Sequence, residues 1–160
     1  MAHFAKIGID NKVLSVSVLD NINNMTRGGL EQEAIGVEFL KNVHGHESWV
    51  QCSYWASEGY RWAENEELGR HKTDQVGFRA NFPQKGWFWD STNEIFYPPR
   101  PVDEDGDSCI SHTVNTTTGM WDAPIAKPDD LTDDNFVYWR WDESAYQADN
   151  TQGWVAVTND

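Results

Sequence analysis

Residues 86–101, GWFWDSTNEIFYPPRP, decide how the chain is read. Bulky aromatics flank a cluster of turn formers and prolines close the stretch, which is the pattern of a β-hairpin. Side chains alternate between the two faces of a strand, so Trp87 and Trp89 share one face and Phe88 takes the other. Asp90-Ser91-Thr92-Asn93 supplies the turn, because short polar side chains accept hydrogen bonds from backbone amides just downstream. Ile95-Phe96-Tyr97 returns, and Pro98 and Pro99 end the ladder, since neither has an N–H to donate.

The same signature recurs further along. Trp139-Arg140-Trp141-Asp142-Glu143 is answered by Gly153-Trp154-Val155, and residues 110–114 meet Met120-Trp121 across the polar turn 115–119. Three aromatic hairpins in succession suggest an imperfect internal repeat.

Upstream, residues 2–9 and 12–19 form a further hairpin joined at Asp10-Asn11. There Leu14, Val16 and Val18 alternate with Ser15 and Ser17, which predicts a half-buried strand with its hydroxyls outward. Residues 21–29 are polar and turn-rich and read as a loop. Residues 30–42 form the one helix: Leu30, Ala34, Val37 and Leu40 or Lys41 recur at helical spacing, and Glu31 and Glu33 sit where the helix dipole favours them. Gly36 weakens this helix and Gly45 ends it.

Residues 49–55, WVQCSYW, return to period two and form a strand. Residues 56–77 are charged and predict a surface excursion that contacts a partner or contains a short helix. Residues 78–82 read as a short strand, and 100–108 and 127–135 as acidic connections. The expectation is a mainly β (α+β) fold of antiparallel hairpins, a small sheet or sandwich with one helix near residues 30–42. It forms one domain, 1–160: an N-terminal part (1–55), the charged excursion (56–77) and the aromatic hairpin repeats (78–160).

With 160 residues, a single core is the default. Nine Trp, seven Phe and five Tyr each remove about 150–250 Å² from water when buried, so ring packing is expected to hold the fold. The formal charge of −14 makes nucleic acid and anionic membrane surfaces poor partners. There is no long apolar run and no export signal, so synthesis in a cytoplasm is expected. Cys52 and Cys109, two thiols far apart in sequence, read as reduced and packed in strands.

Each candidate site meets a plainer alternative. Asp103, Asp105 and Asp107 alternate like a calcium loop, but the spacing residue and the terminal Glu are wrong for one. Asp129, Asp130, Asp133 and Asp134 read likewise as a solvated acidic turn. His44 and His46 would need Cys52 or His71 to complete a zinc set, and read better as loop histidines. Asn115-Thr116-Thr117 is turn chemistry. Serine-hydrolase, zincin and phosphate-loop patterns are missing, so neither enzyme activity nor a cofactor is expected. Trp87, Trp89, Trp139 and Trp141 could form a sugar-stacking platform. Their alternation with polar neighbours favours packing or an interface instead, together with Phe96, Tyr97, Trp121 and Trp154.

Several segments resemble a family of small proteins from tailed phages of marine bacteria and cyanobacteria, whose members are uncharacterised or virion-associated. The carriers are residues 78–101, Trp121-Asp122-Ala123-Pro124 and Tyr138-x-Trp-Asp-Glu, with the opening Met1-Ala2-His3-Phe4-Ala5-Lys6 and the runs 36–40 and 49–54. The resemblance covers most of the chain, departing at the longer, charged 56–76 and the acidic insertion 102–108. It carries over no catalytic residue. It implies a virion structural protein assembled in the host cytoplasm: a capsid decoration or cement protein, or a tail or fibre accessory piece, with phage capsid or tail proteins as partners and a homo-oligomer as one possible form. Two alternatives stand beside it, a carbohydrate-binding module for host adhesion and a soluble host-takeover protein.

Overall fold

The strand Ala2–Ile7 (β1) is the centre of the N-terminal sheet and is covered on both faces. It pairs antiparallel with Val13–Leu19 (β2) on one side and Trp49–Cys52 (β5) on the other. A computed structural model describes residues 1–20, 26–27, 30–132 and 135–157. Between β2 and β5 come the short pair Thr26–Arg27 (β3) and Leu30–Glu31 (β4), then the helix Glu33–His44 (α1). Residues 21–25 and 28–29 of the expected loop lie outside the described residues, as do Asp133 and Asp134.

Alternation along β1 divides two cores. Ala2 and Phe4 face α1 and pack with Leu19, Leu40 and Trp49. Ala5 and Ile7 face the other way and pack with Val13, Cys52, Trp89 and Phe96. The organising hairpin forms as read, from Phe88–Asp90 (β9) and Ile95–Tyr97 (β10). Trp89 opposes Phe96 on the buried face, with ring centroids 4.7 Å apart, and Phe88 stacks on Tyr97 on the other at 5.6 Å. The turn is held by Asp90, whose Oδ1 accepts the amides of Thr92 and Asn93.

The charged excursion is neither structureless nor helical. Ala56–Ser57 (β6), Tyr60–Asn65 (β7) and Gly69–Val76 (β8) form a three-stranded antiparallel sheet in that order. Beyond its base, β7 and β8 make an exposed two-stranded arm. Its polar composition leaves little to bury, and cation–ring contacts dress it instead: Lys72 lies over Tyr60, and the Arg70 guanidinium lies near the rings of both Tyr54 and Trp62.

Other expectations are corrected. The helix begins and ends later than residues 30–42, because residues 30 and 31 are taken by β4; it stops at Gly45, whose φ of 61° makes the left-handed cap. The strand expected over residues 78–82 does not form: Arg79 and Ala80 adopt φ of 55° and 62°, which no strand tolerates. In β2 the serines alone do not mark the solvent face: Ser15 is exposed as expected, but Ser17 is half-buried. Ser17 opposes the buried Phe4, whereas Leu14 and Val18 remain 41% and 53% exposed, because β2 is the edge of a sheet covered on both sides.

The chain divides into two compact units, residues 1–99 with 115–120, and residues 100–114 with 121–160. Asn81 ties the returning segment into the first. Its buried Nδ2 donates to the carbonyls of Phe96 and Thr118, and its Oδ1 accepts the Glu58 amide.

The second unit holds the remaining hairpins: Thr113–Val114 (β11) with Trp121–Asp122 (β12), Leu131–Thr132 (β13) with Asn135–Phe136 (β14), and Tyr138–Trp141 (β15) with Trp154–Val157 (β16). A second helix, Glu143–Ala148 (α2), interrupts the last of these; the sequence reading missed it. Asp142 caps α2 by accepting the Ala145 amide at 2.8 Å. The fold is mainly β with two α-helices among the described residues, neither long and apolar enough to cross a membrane.

Because Trp89 is 8% exposed and wedged against a fully buried Phe96, Trp89→Ala should lower unfolding free energy by about 3–5 kcal/mol. Denaturant titration checks this, and a loss under about 1 kcal/mol would show that the ring is not a core element.

Candidate functional site

Seven of the eight aromatic residues singled out from sequence make core, ring or cation–ring contacts, divided between the two units; Trp139 makes only an indole hydrogen bond among the described residues. Trp89 and Phe96 are core, and Trp87 packs against that cluster. Tyr97 stacks on Phe88. In the second unit Trp141 is buried against His112, Tyr146 and Trp154. Trp121 lies under the Arg100 guanidinium at 4.3 Å. The indole N–H groups of Trp139 and Trp154 donate to the carbonyls of Asp129 and Ile125. Trp89 and Trp141 are buried and offer no open ring face, while Trp87 and Trp139 are half-buried.

Among the described residues, one group of side chains has metal-ligand chemistry, and the sequence reading did not find it. Cys109, His112 and Glu143 are buried, with candidate ligand atoms within 4.8 Å of one another. The signal was the Cys-x-x-His spacing of residues 109–112. A thiolate, an imidazole and a carboxylate form a zinc-type donor set.

The Glu143 carboxylate is already saturated. Oε1 accepts the Ser111 amide and Gln147 Nε2, and Oε2 accepts the Ser111 hydroxyl and the Trp141 indole N–H, at 2.7–3.0 Å. Burial would raise its pKa, but these four bonds outweigh it and pull the carboxyl down to about 2. The Cys109 thiol is pushed up by burial and by the nearby carboxylates. The cluster is a polar packing centre. Asp103 joins it, Oδ2 accepting the Glu143 amide while Oδ1 accepts those of Asp105 and Asp107. The alternating aspartates therefore fold a loop onto their own backbone.

The histidines of the imagined zinc set are engaged separately. His46 Nε2 lies 2.7 Å from the Ile7 carbonyl, and His71 Nδ1 3.0 Å from that of Gly69. Cys52 and Cys109 are free, and burial pushes the Cys52 thiol up to about 12.

The first unit holds an open cleft of about 800 Å³. It gathers Ser53 and Trp55 after β5, Arg61 and Gln75 from the base of the arm, the turn 76–80, the end of the aromatic hairpin and the returning residues 116–117. Arg79 holds its wall: the guanidinium forms a two-pronged pair with Glu33 at 2.7 and 2.9 Å, donates to the Gln51 carbonyl and lies over Phe78 and Trp89. Burial alone would raise the Glu33 pKa; the bonds from Arg79 and the Gln51 amide reverse that and lower it. Arg61 Nη1 donates to Gln75 Oε1 at 2.8 Å on the same cleft. A smaller recess of about 320 Å³ shares Ser53, Trp55 and Phe78 and adds Tyr54.

No family model, curated protein or solved structure matches the chain.

A carboxyl whose folded pKa of about 2 lies below its ordinary 4.5 stabilises the fold above about pH 4.5, and that contribution is lost as pH falls toward 2. The difference in thermal midpoint between wild type and Glu143→Gln should therefore shrink steadily on acidification through this window. A constant difference would contradict the saturated-carboxylate account.

Proposed function

We propose that the chain is a non-enzymatic structural protein of a tailed-phage particle, a capsid decoration or a tail or fibre accessory piece, that meets its particle through the β7–β8 arm. The observation that carries this reading is the arm. Most of its residues are exposed and most of its side chains contribute to neither core, so its length is not explained by the stability of the unit that bears it.

Charge supports the same reading. The second unit carries thirteen Asp and Glu against three Lys and Arg, while nine of the twelve Lys and Arg fall in the first. Three of those nine, Arg61, Arg70 and Lys72, are on the arm. Arg70 and Lys72 rest on rings, and such cations are well suited to an interface, since Arg and aromatic residues are enriched in contact surfaces. The sequence resemblance to virion-associated proteins supplies the setting.

Mass spectrometry of particles purified from an infection in which the chain is made should find it in a fixed copy number. Hundreds of copies mean a capsid position and dozens a tail position. In the same preparation, Arg70→Glu with Lys72→Glu should release the protein without changing its melting temperature. Absence from purified particles would overturn the reading.

A further inference from the structure

We propose that the cleft of the first unit is a binding site for a neutral oligosaccharide. Its volume of about 800 Å³ falls within the roughly 300–1,000 Å³ of ligand sites. A pyranose has C–H faces that stack on aromatic rings and an equatorial rim of hydroxyls that asks for donors and acceptors. The cleft offers both. Trp55 and Phe78 line it with ring surface, and Phe78 remains 46% exposed. Arg61, Gln75, Asn93 and Thr116 line it with polar groups. Arg61 and Gln75 are pre-oriented by their mutual hydrogen bond, and planar amide and guanidinium groups match the spacing of vicinal hydroxyls. Thr116 is exposed and has no hydrogen-bond partner among the described residues.

The backbone points to the same place. Six non-glycine residues have positive φ among the described residues, and three of them, Arg79, Ala80 and Glu94, line this cleft. Such strain persists only where surrounding structure over-determines it, and it gathers at ligand sites. Here the Glu33 pair and the ring contacts of Arg79 hold one wall fixed.

The ligand is extended, uncharged and not cleaved. The adjoining recess shares Ser53, Trp55 and Phe78 and adds the Tyr54 ring, so the surface continues past a single sugar. Arg79 is committed to Glu33, and a chain with formal charge −14 repels a polyanion. Glu94 is the one carboxylate among the lining residues, whereas glycoside hydrolysis by the common route needs two flanking the bond. The cleft uses the base of the arm, Arg61 and Gln75, whereas Arg70 and Lys72, whose exchange tests the particle contact, lie further out along it and are not among the lining residues, so the two readings fail separately.

Isothermal titration of the full chain with cellohexaose, maltohexaose and chitohexaose tests it. At least one should bind saturably with Kd at or below about 1 mM, and both Phe78→Ala and Gln75→Ala should weaken it by about tenfold. Tyr138→Ala, which alters an exposed ring in the other unit, should leave binding unchanged. Should Phe78→Ala fail to fold, Gln75→Ala decides. No saturable binding of any of the three sugars, or binding indifferent to the cleft variants, would overturn the assignment.

Discussion

The first unit depends on one ion pair. Arg79 and Glu33 lie 46 residues apart and meet through two hydrogen bonds, with the Arg79 side chain 13% exposed. A guanidinium matches a carboxylate in this two-pronged geometry, and burial raises the cost of breaking it because the surviving charge would be left without a partner. Through this contact the start of α1, the β5 carbonyl of Gln51 and the aromatic hairpin are fixed to one another. The left-handed backbone at Arg79 and Ala80 follows, because it lets the guanidinium reach inward while the Arg79 carbonyl accepts the Phe96 amide.

The second unit solves the same problem with an anion. Glu143 lies buried without a cationic partner among the described residues and is satisfied instead by four neutral donors drawn from residues 111, 141 and 147. Both centres bind segments distant in sequence. Between them, Trp89 and Trp141 supply the apolar mass of their units, each supported by the polar group beside it.

What was legible in the sequence was local. The turn at 90–93, the pairing of the strand bearing Trp89 with that bearing Phe96 and of the strand bearing Trp141 with that bearing Trp154, and the stop at Gly45 all follow from neighbours and periodicity. What was illegible needed a distant partner. Residues 78–82 alternate like a strand, but the tertiary pull on Arg79 overrides that pattern. The burial of β2 was only partly legible, because alternation does not reveal that the strand lies at a sheet edge where Leu14 and Val18 stay exposed. The helix α2 has only six residues, too few for a periodic signal, and only its Asp142 cap announced it. The cleft draws on five separated stretches of chain, and no spacing rule connects Trp55 with Thr116.

The most direct measurement is a double-mutant cycle on Arg79→Met and Glu33→Gln, read by denaturant unfolding of the full chain. If the pair organises the first unit, each single variant is strongly destabilised and the two changes couple by about 2 kcal/mol or more. Coupling below about 0.5 kcal/mol, with effects that simply add, would mean that the two charges act independently and that the unit is held by its aromatic core alone.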